Sequence, residues 1–239
     1  MTWSIIARDD SGAFGVAVAS RFFAVGVLSP HARSQTGALA TQALVNPLYA
    51  ARALDDLAKG MDPALVVARL ISEDEGQSHR QLHMIDKAGR IAAHTGSACI
   101  DWCGHTSGPG FSVAGNMLAG PEVIAQTARA YSQNSALPFG ARLLAALAAG
   151  EAAGGDKRGK QAAALLIYTS EDYPALDIRV DDHAEPIQEL KRLHQKSRER
   201  FQPFTACLPS AKSPTGITDR AMIEASIERF HAGNNGVGL

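Results

Sequence analysis

Threonine 2 is the residue of this sequence best suited to nucleophilic chemistry. Methionine aminopeptidases remove an initiator methionine when a small side chain follows it, and Thr2 qualifies. Removal of Met1 leaves a hydroxyl and a free α-amine on one residue. An α-amine titrates near ~7.7–8.0, so around neutral pH it can accept the hydroxyl's proton as a general base. Threonine paired with its own amine is an established nucleophile arrangement. Thr2 also reads as an ordinary second residue, and its surroundings must decide between the two.

Other polar residues carry competing readings. Asn116, in the turn-like stretch Gly115-Asn116-Met117, could direct its amide at an oxyanion or at the α-amine, or bond its own backbone. Asp156 could anchor an α-ammonium or orient Arg158, or be a loop carboxylate in solvent. Asp181-Asp182-His183 could be a metal or acid–base cluster, although a satisfied turn network is the favoured reading. Cys99 and Cys103, with His94 and His105 nearby, have a spacing that zinc tolerates. No second paired motif accompanies them, so no metal is expected. Cys103 also lacks a helix start to lower its thiol pKa. Gly108-Pro109-Gly110 and Gly154-Gly155 lack the G-K-[ST] ending of a phosphate loop, and no cofactor is expected.

The elements that would position these residues follow from periodicity. Trp3–Arg8 and Phe14–Ser20 alternate as strands around the turn Asp9-Asp10-Ser11-Gly12, which sets Thr2 at the start of a sheet strand. Val25–Leu28 and Gly37–Ala43 read as further strands. Asn46-Pro47 and Asp62-Pro63 each open a helix, the first ending at Gly60. Strands return at Gln81–Asp86, Ile91–His94 and Phe111–Leu118. Helices are then expected over Glu122–Tyr131 and Phe139–Ala149, strands over Ala163–Tyr168 and Leu176–Val180, and a helix from Pro186 to about Arg200. Strands grouped between pairs of helices do not follow the βαβ alternation of a Rossmann sheet. They fit an α+β arrangement of two mostly antiparallel sheets between helical layers. Residues 1–201 are read as one domain. Residues 202–239, with Pro203, Pro209, Pro214, one short helix (Asp219–Phe230) and a Gly/Asn-rich end, are read as a peripheral extension.

Composition narrows the function classes. The 239 residues are 46% hydrophobic, ample for a sizeable core, and carry 23 basic and 24 acidic residues for a net charge of −1. That balance gives no basic field for nucleic acid. The run Lys191, Arg192, Lys196, Arg198, Arg200 is interleaved with Glu189 and Glu199, as on a solvated helix face. No stretch approaches the roughly 20 apolar residues of a membrane span, and no secretory signal is read at the start. Three cysteines with no such signal lead us to expect a cytoplasmic protein with free thiols.

The N-terminal third resembles proteasome-type β subunits. The matching residues are Thr2-Trp3-Ser4-Ile5-Ile6-Ala7, Gly12, Gly15-Val16-Ala17-Val18-Ala19-Ser20-Arg21 and Gly26. Gly37–Ala43 stands where that family's oxyanion strand lies, which implies that backbone amides near Thr41 and Gln42 hold the oxyanion. Gly155-Asp156-Lys157-Arg158-Gly159-Lys160-Gln161 is similar to the loop beside the nucleophile, which implies site roles for Asp156, Arg158 and Gln161. A more specific resemblance, over about residues 2–193, is to the domain of unknown function 1028 family. It rests on Thr2–Arg8, Gly15–Phe22, Gly115–Leu118, Gly154-Gly155-Asp156 with Arg158-Gly159, and Arg179–His183.

These resemblances imply a four-layer αββα sandwich of the N-terminal-nucleophile (Ntn) hydrolase type. They imply an amidohydrolase acting on a small molecule or peptide through Thr2, with Arg21, Arg33, Asn116 and Asp156 around it. Two departures stand out. Ala19 occupies the place of the motif's acidic residue, and no lysine lies between Arg21 and Lys59, Arg33 being the nearest cation. The catalytic network is either rebuilt or lost, so a non-catalytic small-molecule-binding protein on the same fold is the alternative. A homo-oligomer is also expected, with Leu143, Leu144 and Leu147 as a candidate apolar helix face.

Overall fold

The computed structural model describes residues 2–233, so Met1 and the last residues of the Gly/Asn-rich end lie outside the described residues. The strands are β1 (Thr2–Arg8), β2 (Phe14–Ser20), β3 (Pro30–Arg33), β4 (Gly37–Ala43), β5 (Arg80–Asp86), β6 (Ile91–Thr95), β7 (Trp102–Gly108), β8 (Phe111–Leu118), β9 (Ala162–Tyr168) and β10 (Leu176–Val180). The helices are α1 (Val25–Leu28), α2 (Leu48–Ala58), α3 (Pro63–Ser72), α4 (Glu122–Gln133), α5 (Phe139–Ala152), α6 (Pro186–Ser197), α7 (Phe201–Thr205) and α8 (Arg220–Gly233).

The protein is mixed α/β, built on two antiparallel sheets. One has six strands in the order β10-β9-β2-β1-β8-β7 and the other four, β3-β4-β5-β6. β1 lies in the interior of the larger sheet, paired with β2 on one side and β8 on the other. Its period of two divides its side chains between the two faces. Trp3, Ile5 and Ala7 join Leu143, Leu144 and Leu147 of α5 in the main core. On the other face Ile6, with Phe14 and Val16 of β2, packs against Ala38, Ala40 and Ile85 of the smaller sheet. The outer face of the smaller sheet is covered by α2 and α3 through Leu54, Leu57, Val66 and Leu70. Thr2 and Ser4 share the parity of Ile6 and so face the inter-sheet space.

The α3 start follows its sequence: Asp62 Oδ1 accepts from the Ala64 amide at 2.9 Å and Pro63 takes the first turn. Asn46 Oδ1 likewise accepts from the Leu48 amide at 3.2 Å.

Several expectations are corrected. Val25–Leu28 is a short helix, not a strand. The free edge of β2 is taken by β9, and Ala24, at φ 51°, turns the chain out of the extended region. Two strands, the four-residue Pro30–Arg33 and the seven-residue Trp102–Gly108, were not anticipated. The second carries a bulge between Trp102 and Gly104 that breaks its period. Leu143, Leu144 and Leu147 offer no surface for assembly, being buried against the larger sheet. In the last segment α7 spans the expected 201/202 boundary and α8 runs to Gly233. Cys207 is buried there, and the Tyr173 hydroxyl donates to the Pro209 carbonyl at 2.7 Å.

Candidate active site

Thr2 is buried at the head of β1, and its Oγ1 donates to Ser20 Oγ at 3.1 Å. Register makes the two cross-strand neighbours, since Trp3 pairs with Ala19. On the other side Thr2 pairs with Asn116, whose Nδ2 donates to the Thr2 carbonyl at 3.4 Å. These residues end at a cavity of about 430 Å³. Its lining includes Thr2, Ser29, Thr41, Gln42, Ala43, Asn116 and Arg158, with apolar walls from both sheets and the α1 region. The volume suits a small ligand.

Behind Thr2 a buried polar network crosses between the sheets. Ser4 Oγ donates to Gln42 Oε1 at 2.8 Å, and Gln42 Nε2 to Gln81 Oε1 at 2.8 Å. Gln81 Oε1 also accepts from Asn116 Nδ2 at 3.1 Å, and Gln81 Nε2 donates to the Gly115 carbonyl at 2.9 Å. His83 lies between Ser4 Oγ at 2.9 Å and Ser112 Oγ at 3.0 Å. Because the Ser4 proton is directed at Gln42, His83 Nε2 carries the hydrogen and Nδ1 accepts from Ser112. Full burial pushes His83 down to about 3, with nearby His105 a smaller cause, so the imidazole is neutral at neutral pH. A network bonded across facing sheets holds their register, because a slip would strand several polar groups in an apolar interior.

Strain gathers at the same place. Five described non-glycine residues have positive φ, and two of them, Ala43 at 67° and Met117 at 54°, line the cavity. A third, Ala24, precedes Val25 of the wall. Each such residue costs on the order of 1–3 kcal/mol, which the packed surroundings must offset. The wall at Leu44 and Val45 is tied down by Asp74, which accepts from Tyr49 Oη at 2.5 Å, Asn46 Nδ2 at 3.1 Å and Arg80 Nε at 3.1 Å. Arg80 Nη1 in turn donates to the Leu44 carbonyl at 2.7 Å. The Tyr49 bond, opposed by burial and helped by Arg80, holds the Asp74 carboxyl well below the usual carboxylate range.

Of the residues expected at the site, Thr2, Thr41, Gln42, Asn116 and Arg158 line the cavity. The Thr41 amide, however, already donates to the Ser29 carbonyl at 3.1 Å, and both ends of the Gln42 side chain are bonded within the network. Asp156 is buried behind the wall. Its carboxylate accepts from the backbone amides of Arg21 and Arg158, both at 2.8 Å, and so clamps the 156–159 loop to the end of β2. The Arg21 guanidinium donates to the Arg158 carbonyl, and Arg158 Nη2 donates to the Arg21 carbonyl at 3.1 Å. Arg33 is far from the role expected of it: at the opposite end of β3, opposite Gly37, it is ion-paired with Asp55 at 3.0 Å. Gln161 faces Asp182 at 3.1 Å, and that corner is a turn network in which His183 Nδ1 accepts the Glu185 amide.

Sequence reasoning missed Ser29, Ser4, Gln81 and His83. Alternation marked the last three as buried polar positions in strands, which was the available signal. The zinc candidates have separate partners: His94 meets the Gln77 carbonyl, His105 meets Thr95, and Cys99 meets the Arg80 carbonyl. Among the described residues no three His, Cys, Asp or Glu side chains gather as a metal site. Burial, and then Cys103, raises the Cys99 thiol pKa. Among the described residues no helix is long and apolar enough to cross a membrane.

Fold and site together define a mixed α/β protein of two antiparallel sheets with a small-molecule-sized cavity at the head of an interior strand. The chain belongs to the family of unknown function DUF1028, whose model matches residues 2–190. It is similar to the crystal structure of protein SPO2555 from Silicibacter pomeroyi, a DUF1028 protein. Sequence identity is 32% over 92% of this chain and 96% of that one, with a TM-score of 0.85. A fainter likeness is to Anbu (ancestral beta-subunit) from Yersinia bercovieri, 13% identical over 87% of this chain and 98% of that one. Its TM-score is 0.38. No curated protein matches the chain.

Proposed function

We propose that this protein is an Ntn amidohydrolase on a four-layer αββα sandwich, cleaving an amide in a small molecule after Met1 has been removed. The observation that carries the reading is Thr2 itself: a buried threonine at the head of an interior strand, on the wall of the cavity, with its hydroxyl held by Ser20. In the proposed reaction Thr2 Oγ attacks the amide carbonyl, and its α-amine takes the hydroxyl proton and passes it to the departing amine. The C–N bond breaks as an ester to Thr2 forms. Water then attacks that ester, giving one proton to the α-amine and on to Thr2 Oγ, and the acid leaves.

For the oxyanion the backbone favours Ala43. Amide direction alternates along a strand, so the Ala43 N–H points to the same side as that of Thr41, past the start of β3 and toward the cavity. The step draws on the chain's own groups and needs no cofactor.

A specific observation favours the alternative, a binding protein without chemistry. Ala19 is apolar and buried where an acidic support is missing, and among the described lining residues there is no lysine. One experiment separates the two. Purified protein is analysed by mass for its first residue, then exposed to a β-lactone electrophile beside Thr2→Ala. A chain starting at Thr2 that takes up one acyl group, with none on Thr2→Ala, is the expected result. Met1 fully retained in the native host, or equal labelling of both proteins, overturns it.

A further inference from the structure

The cavity lining combines buried polar groups, apolar side chains and a cation, and that combination specifies a ligand. Two of its lining residues, Asn116 and Ser29, each carry a buried side-chain oxygen without a hydrogen-bond partner, Asn116 Oδ1 and Ser29 Oγ. Their residues are 1% and 2% exposed. A ligand that leaves them unmet keeps the desolvation cost of both, so the occupant is expected to bring an N–H to Asn116 Oδ1 and a polar atom to Ser29. Much of the remaining lining is apolar, from Phe22, Val25, Leu28, Leu44, Ile100 and Met117.

The charge of the lining is cationic: Arg158 belongs to it with a side chain 42% exposed, and among the described lining residues there is no Asp or Glu. Asp156, 3.4 Å from Arg158 Nη2, does not neutralise the region, because Arg21 is held against the same loop. Two guanidiniums stand against one carboxylate, and an unblocked Thr2 amine would add further positive charge.

Resting on the amidohydrolase reading, we propose that the substrate class is an N-acyl amino acid. The apolar acyl group packs on the walls, the amide N–H meets Asn116, and the carboxylate of the amine half lies at Arg158. This orientation agrees with the order of the chemistry, since the amine half that leaves first carries the carboxylate at the part-exposed Arg158 while the acyl half stays on Thr2.

The test uses full-length Thr2→Ala, which binds without turnover, and calorimetric titration with three ligands. They are N-phenylacetylglycine, its neutral glycinamide, and the cationic mono-phenylacetyl ethylenediamine. The acid is expected to bind about tenfold or more tighter than the amide, as a charge-assisted bond gives, and the cation weakest. Added salt should narrow the gap, and Arg158→Gln should abolish it while Arg158→Lys keeps part of it. Acid and amide binding alike, the cation binding best, or none of the three binding overturns the proposal. Should Arg158→Gln fail to fold, the three-ligand comparison decides alone. Glycine release from N-phenylacetylglycine by wild type starting at Thr2 is measured separately. A carboxylate preference with no release removes the hydrolase reading and leaves the ligand class. Release of the amine from acid and amide alike does the reverse.

Discussion

Thr2 and Ser20 face each other across the β1–β2 pair, hydroxyl to hydroxyl at 3.1 Å. The bond fixes the rotamer of a side chain whose reactivity depends on where its oxygen points, and it comes from a residue that Ala19 leaves without an acidic neighbour in sequence. Ser20→Ala should fold normally, since a serine-to-alanine change at this buried strand position removes one oxygen and no volume of consequence. Its rate of acylation by the β-lactone should fall about tenfold, the equivalent of one ordinary hydrogen bond. Mass-resolved labelling over time measures this. A native rate would reduce Ser20 to a structural role.

Trp3 is the neighbour of Thr2 on β1, and Gly150 of α5 leaves room for its indole. A Cβ at Gly150 would come 2.6 Å from Trp3 Nε1 and 2.3 Å from Thr127 Oγ1. On an exposed helix Gly→Ala would stabilise by about 0.8–1 kcal/mol. Here overpacking should win, and Gly150→Ala should destabilise by roughly 1–3 kcal/mol while slowing acylation of Thr2. Urea unfolding gives the sign. A more stable variant would show that the helix backs away without cost.

Asp74 gathers three side-chain donors and the Gly76 amide on two oxygens, and through Arg80 it fixes Leu44 at the cavity wall. Asp74→Asn replaces an acceptor with an N–H aimed at other donors. A loss of about 2–3 kcal/mol in urea unfolding is expected, with weaker ligand binding. Burial and then the Asp74 bond push Tyr49 up to about 12, so the variant's tyrosine absorbance titration should gain one group nearer the ordinary value of 10. An unchanged titration would place the Tyr49 shift on burial alone.

Local chemistry made much of this legible. The alternation of Trp3–Arg8 and Phe14–Ser20, the Asp62-Pro63 start and the turn at Gly12 all report on neighbours in sequence, and each formed as expected. The site residues divided along the same line. Thr2 and Asn116 are set by strands whose period is visible. Arg33 failed because its distance from Thr2 depends on which end of a short hairpin faces the cavity, a choice made by β4–β5 pairing far along the chain. Ser29 was missed because nothing local distinguishes a serine at a cavity wall from one in a turn. The Thr41 amide was misjudged because its partner, the Ser29 carbonyl, belongs to a segment that reads as continuing from a strand and is instead the exit from α1.

His83 is where the inter-sheet network meets pH. In the folded protein burial holds its pKa at about 3, against 6.5 when exposed. Its neighbours Ser4, Ser112 and, through Ser4, Gln42 carry no charge, and His105 opposes protonation further. Between those two values the unfolded chain binds a proton that the native state refuses. Stability is therefore complete above about pH 6.5 and falls as pH drops, by about 1.4 kcal/mol per unit once well below 6.5. Relative to pH 7.5 the loss from His83 at pH 5 is about 2 kcal/mol. His31 and His105, lowered first by burial, add to the same slope. Urea unfolding at pH 7.5, 6 and 5 measures it. His83→Gln, able to bond both serines without titrating, should be less stable at pH 7.5 yet lose distinctly less on acidification. If wild type is equally stable at pH 7.5 and 5, the imidazole is not the buried neutral group described.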